Sequence, residues 1–245
     1  MTRMLGTIDH GEPVTNYQWF DDFAIIVVLQ AVAQKQIGSQ SEKKPSGWDR
    51  QVVTMSRAGL VAVSPEDGKF LWQYNRMAKT PMEESNTAHG NSAAYADGYV
   101  FEATSYQTRG GSVVRLQSDG AGLTSELAWE SEKLNCEHGG YVILDGHIYM
   151  NQGAGWSCLD LKTGEERWFG RGPGQGSIIY ADGMLYCLGE NGKMGLIEAK
   201  PEKFNQVSVF DLPEGKGPSW SHPVISDGKL YLRWNDNLNV YDIQR

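Results

Sequence analysis

Cysteine is scarce and unpatterned: Cys136, Cys158 and Cys187 are three in 245 residues, odd in number and never adjacent. No pair has the spacing of a metal-ligand set or a disulfide framework, so all three read as buried thiols. Long apolar runs are missing too. Phe23–Ala33 (FAIIVVLQAVA) is far too short to cross a bilayer. It ends in an Ala-x-Ala, as a signal-peptidase site would, but Asp21 and Asp22 stand where a secretory signal needs basic residues. An innermost sheet strand is the preferred reading, and no convincing signal peptide is assigned. Positive charge is in short supply: the formal net charge is -8, with no Lys/Arg cluster to override it. A nucleic-acid backbone is therefore excluded as partner. No Ser/His/Asp order, phosphate loop or carboxylate pair stands out from the turn aspartates, so no catalytic residue is assigned.

What the chain does have is glycine (29) and tryptophan (8), with only 21% charged residues. That composition suits many short strands joined by tight turns. Cys158–Trp168 (CLDLKTGEERW) reads as strand, turn and return strand, with Gly164 free to take a positive φ and Trp168 closing the hairpin. Ala62–Trp72 (AVSPEDGKFLW) repeats the phrase 96 positions earlier, with Gly68 and Trp72 in the equivalent places. A second phrase, x-Asp-Gly-x-apolar, occurs at Asp97-Gly98, Asp145-Gly146, Asp182-Gly183 and Asp227-Gly228, each between apolar runs. Asp-Gly in that setting is the strongest short hairpin signal. The four glycines lie 48, 37 and 45 residues apart, a period that suits one blade of a β-propeller. The expected fold is all-β, a propeller of four-stranded antiparallel blades with about five repeats visible.

The expected division is a 1–22 N-terminal segment followed by repeats over 23–245, with blades at about 23–75, 90–130, 138–170, 175–212 and 220–245. The inner strands are placed at Asn91–Tyr95, Gly140–Leu144, Ser177–Tyr180 and Ser221–Ile225. The fifth blade runs out one strand short, at Leu238–Ile243. Val14–Phe20 (VTNYQWF) is β-prone and unassigned, and is expected to pair with it and close the ring. The rival is an arc cut from a larger propeller.

These residues resemble the PQQ-like (pyrroloquinoline-quinone-like) β-propeller repeat. Cys158–Trp168 looks like its A-x-D-x-x-T-G-x-x-x-W, with Cys158 for the Ala and with Asp160, Thr163, Gly164 and Trp168 in register. In Ala62–Trp72, Ser64 replaces the Asp and Asp67 the Thr. The likeness covers Gln51–Ile243 and is nearest to exported bacterial repeat proteins. Among these are the BamB-type scaffold of outer-membrane barrel assembly and, through HGGYVILDG, GRGPGQGS and GPSWSHPVISDGKLYLR, propellers of planctomycete type. Members usually carry more blades than the five counted here. The resemblance implies a non-catalytic binding or scaffold module in the cell envelope or periplasm. It implies Trp72 and Trp168 as locks between blades, and a protein or carbohydrate-like ligand as partner. The alternative it carries is a PQQ-dependent dehydrogenase, or a fragment of one, in which PQQ lies under a disulfide of adjacent cysteines beside Ca²⁺. The cysteine spacing and the lack of an oxygen-rich calcium loop speak against that, and no cofactor is expected.

Counting back from each Asp-Gly turn brings His89, His138, Gln175, Trp220 and His222 to the start of the inner strands, with Arg171 nearby. In a propeller these positions ring one mouth of the central channel. Imidazoles, a guanidinium and an indole there suit an anionic or carbohydrate-like ligand. Two other readings stand beside it: each His bonds a backbone carbonyl between blades, or neutral imidazoles hold a metal. No metal is assigned from the sequence.

Overall fold

The computed structural model describes residues 51–56, 59–65, 67–76, 90–118, 123–213 and 215–244, and all statements below concern these. Eighteen strands form five antiparallel sheets in chain order. The first holds β1 (Val52–Ser56), β2 (Gly59–Val63) and β3 (Phe70–Tyr74). The second holds β4 (Ala94–Ala96), β5 (Tyr99–Thr104), β6 (Gly110–Ser118) and β7 (Leu123–Ser131). β8 (Tyr141–Leu144), β9 (His147–Gln152), β10 (Gly155–Asp160) and β11 (Glu166–Gly170) make the third. β12 (Gly176–Ala181), β13 (Met184–Gly189), β14 (Lys193–Glu198) and β15 (Gln206–Asp211) make the fourth. The fifth has β16 (Val224–Ser226), β17 (Lys229–Trp234) and β18 (Asn237–Asp242). The architecture is an all-β propeller. Among the described residues no helix is long and apolar enough to cross a membrane.

The Asp-Gly pairs make the first hairpin of sheets two to five. Ala96 faces Tyr99, Leu144 faces His147, Ala181 faces Met184 and Ser226 faces Lys229, leaving two-residue loops. All eight loop residues have positive φ, between 45° and 83°. This is the hand of turn that matches strand twist. The carbonyl of each turn glycine then accepts an N–H from the third strand of its own sheet or the residue just past it: Leu116, Leu161, Ala199 and Ile243 in order.

Period-two alternation sends successive side chains of a strand to opposite neighbours. β9 shows it: Ile148 and Met150 pack with Phe101 and Val113 of the second sheet, while Tyr149 packs with Ile178 and Leu185 of the fourth. Trp72, Leu60 and Ala62 meet Val100 and Val114 between sheets one and two. Leu188 and Met194 meet Leu230 and Leu232 between sheets four and five. The core is thus four interfaces between sheets, each buried side chain contributing about 1.5–3 kcal/mol.

The tryptophan hairpins sit at the outer side of these interfaces. Trp72 faces Ala62 and Trp168 faces Cys158, and in both ladders the register slips by one just beyond the pair. Trp129 faces Val113 with the same slip, a third copy that the wide loop before it conceals in the sequence. The indole N–H of Trp129 donates to the Leu161 carbonyl at 2.9 Å, and that of Trp168 to the Lys200 carbonyl at 2.7 Å. Each ring therefore lies over a turn of the next sheet. Gly164 has φ +72°, and a Cβ there would sit 2.7 Å from the Trp129 ring. Its bareness serves turn and neighbour together. Within that turn the Asp160 carboxylate accepts from the N–H of Lys162 and Thr163, both at 3.0 Å, and from Arg167 at 3.0 Å.

Two inner strands are shorter than expected, β4 beginning at Ala94 and β16 at Val224. Side chains take over from the ladder there. Asn91 donates to the Ala103 and Cys136 carbonyls and accepts from Gly140 N–H. Ser219 and Ser221 both donate to the Arg233 carbonyl. Beside Ala103 at the same end of the second sheet, Arg76 forms a buried ion pair with Glu102 at 2.7 Å, which Ser112 also bonds. The fifth sheet has three strands among the described residues. Val14–Phe20, expected to complete it, and the 1–22 segment lie outside them, as does Phe23–Ala33, the expected inner strand of the first sheet.

Trp168→Ala should cost about 3–5 kcal/mol, because the ring is buried and its removal also strands the Lys200 carbonyl. Urea unfolding of the two proteins measures it, and a loss under about 1 kcal/mol would rule out the locking role. Acid should act through Asp160. Burial pushes its carboxyl up, but Arg167 and the turn N–H groups outweigh that and hold it below the ordinary carboxylate range. A depressed folded pKa stabilises above the unfolded value of about 3.9, and the gain is lost as pH falls through the folded value. The melting-point gap between wild type and Asp160→Asn should be full near neutrality and close only as the pH falls below the ordinary carboxylate range.

Candidate functional site

The segments leading into β8, β12 and β16 converge because their backbones touch. Gly139 carbonyl accepts Ile178 N–H at 3.1 Å, and a Cβ on Gly139 would lie 1.8 Å from the Gly176 carbonyl oxygen, so no side chain fits. Ser177 donates to the Ser221 carbonyl at 2.8 Å, carrying the contact on to the fifth sheet. Glu190, just after β13, is held by its own backbone, donating to Gln175 and accepting from Ser219.

On this frame four of the residues picked out from the sequence come together. His138 Nε2 lies 3.0 Å from Glu190 Oε1. Gln175 Nε2 donates to both Glu137 and Glu190. Trp220 stands edge-on to the His138 ring at 5.7 Å between centroids and is 67% exposed. His222 Nε2 lies 3.4 Å from the His138 carbonyl, and a Cβ on Gly140 would come within 2.9 Å of its Cε1. Desolvation by the surrounding protein holds the His222 pKa below the ordinary value, while the backbone contacts with His138 and Ile178 work the other way. The residue nonetheless keeps an exposed surface.

Arg171 is exposed and, among the described residues, its guanidinium joins neither carboxylate. His89 lies outside the described residues. Glu137 and Glu190 are the members that counting back from turns did not find. Glu137 is adjacent to His138 in CEHGG, and Glu190 follows the second strand of its sheet, away from every inner-strand lead-in. They change the electrostatics of the site. An anionic ligand would meet two carboxylates here, whereas a cation or a neutral group would not be repelled.

The residues do not fit a PQQ site. The three cysteines are free and buried, Cys136 in the core between sheets two and three and the other two in that between sheets three and four. Burial pushes the Cys136 and Cys158 thiols up to about 12 and the Cys187 thiol well above its usual value, so none is a ready thiolate.

No curated protein matches the sequence. Among solved structures, BamB from Moraxella catarrhalis aligns with TM-score 0.52 and 15% identity, over 78% of this chain and 57% of its own. The computationally designed Ika8 protein aligns with TM-score 0.55 and 13% identity, over 80% of this chain and 56% of its own. The chain thus spans little more than half the length of either. A europium-containing methanol dehydrogenase reaches TM-score 0.37 at 15% identity, over 52% of this chain and 26% of its own, too slight to bear on chemistry. The solved structures speak to the fold alone. A family model matches residues 28–170, more than half of the sequence. On that match, made by the same repeat whose hairpins and tryptophans are described above, the chain belongs to the PQQ-like repeat family described as outer membrane protein assembly factor BamB.

Proposed function

We propose that the chain is a non-catalytic propeller that serves as a binding scaffold for a protein partner in the cell envelope. The observation that carries this is Trp220. A fully formed indole, 67% exposed, stands over His138 where three sheets meet, on a frame fixed by backbone bonds. Exposed tryptophan on a rigid support is what a binding hot spot is made of. The family description supports an envelope role, and the free, protonated thiols support a non-catalytic one. His138, Gln175 and His222 belong to this proposed mouth by contact; His89 and Arg171 remain part of it by sequence position. The same indole face offers a stacking platform for a carbohydrate-like ligand, the second form of the proposal.

A photo-crosslinking residue placed at Trp220 in cells of the native host should give a discrete protein adduct in the envelope fraction. One placed at Phe70, 60% exposed on the outer strand β3, should not. Trp220→Ala should weaken capture of that partner at least tenfold, with stability changed by under about 0.5 kcal/mol. A glycan adsorbed to wild type and not to Trp220→Ala would select the carbohydrate form. Reconstitution with PQQ and Ca²⁺ supplies the opposing outcome. A bound quinone chromophore with dye reduction by an alcohol or sugar would replace the scaffold with a dehydrogenase.

A further inference from the structure

We infer that Glu137, His138 and Glu190 form a divalent-metal site, suited to Zn²⁺, at the joint between the third and fourth sheets. One ligand atom from each lies within 4.8 Å of the others. Tetrahedral zinc, with bonds of about 2.1 Å, sets its ligands about 3.4 Å apart, so small side-chain rotations complete the set. Two further observations point to a cation. His138 Nε2 is buried and 3.0 Å from Glu190 Oε1, yet no well-formed hydrogen bond joins them. With its proton on Nδ1, the ring would offer the Nε2 lone pair to a metal. Glu137 and Glu190, moreover, both take their hydrogen bond from the same Gln175 amide nitrogen, and among the described residues no Lys or Arg pairs with either. Two negative groups converging on one neutral amide is an arrangement that a dication relieves.

The donor set selects the ion. One imidazole nitrogen and two carboxylates fall short of the six to eight oxygens that Ca²⁺ takes, and imidazole favours zinc among common divalent ions. Three protein ligands leave a coordination position open, with the Trp220 ring alongside His138. Bound there, the ion would join the lead-in of one sheet to the second strand of the next. The inference does not rest on the scaffold reading: partner capture at Trp220 and zinc binding are separate measurements, and either can fail alone.

The test uses the full chain, stripped of metal with a chelator and titrated with Zn²⁺ by calorimetry. Wild type should give a one-site isotherm and a higher melting temperature with zinc. His138→Ala and Glu190→Gln should each weaken binding at least tenfold. His147→Ala should not, because that ring lies on a turn and contacts the Asp145 carbonyl instead. Co²⁺ gives a second readout, a visible band typical of a low-coordinate N/O site in wild type and its loss in His138→Ala. If His138→Ala does not fold, Glu137→Gln and Glu190→Gln carry the same comparison with little change of shape. Absence of zinc binding in wild type would overturn the site. Equal loss of affinity in His147→Ala and His138→Ala would overturn it too, since it would show only diffuse surface binding.

Discussion

A three- or four-stranded sheet of this chain has two apolar faces and no core of its own. Alternation along β9 makes the point, since Met150 and Tyr149 are neighbours in sequence yet belong to different cores. Burial can be satisfied only by another sheet on each side, so the stable unit is the joint between two sheets. Everything else in the structure serves that joint. The Asp-Gly turns set the hairpin twist, the turn carbonyls pin the third strand, and the indoles of Trp129 and Trp168 reach across to the next sheet.

The same dependence explains how the site is made. None of Glu137, Gln175, Glu190 and Trp220 is placed by its own sheet alone. Backbone bonds from Gly139 to Ile178, from Glu190 to Gln175 and from Ser219 to Glu190 bring three lead-in segments to one spot. Side chains projecting there inherit their spacing from the stacking of sheets. The polar constellation there is therefore held by the same stacking of sheets as the apolar joints.

The fold was legible in the sequence because its signals are local. Four Asp-Gly pairs in phase, and an eleven-residue phrase ending in Trp, state hairpins that need no tertiary information. Trp129 escaped notice because the phrase is interrupted by a wide loop, although its ladder position matches Trp168. The shortened β4 was illegible for another reason: Asn91 spends its amide on carbonyls 12 and 45 residues away, a choice visible only once the sheets are stacked. At the site, counting back from turns found His138, Gln175, Trp220 and His222, since each precedes an inner strand. It missed Glu190, which arrives from the end of a second strand, and with it the acidic character of the cluster.

Gly164 carries one more consequence. Its missing side chain is demanded partly by the tryptophan of the preceding sheet, whose ring occupies the space a Cβ would need. Residue choice in one repeat is thus dictated by the repeat before it. A chain of this kind cannot exchange single sheets freely during recombination. A sheet transplanted behind Trp129 must bring a turn that accepts that indole. The heritable module is offset by one strand, running from the outer strand of one sheet to the outer turn of the next.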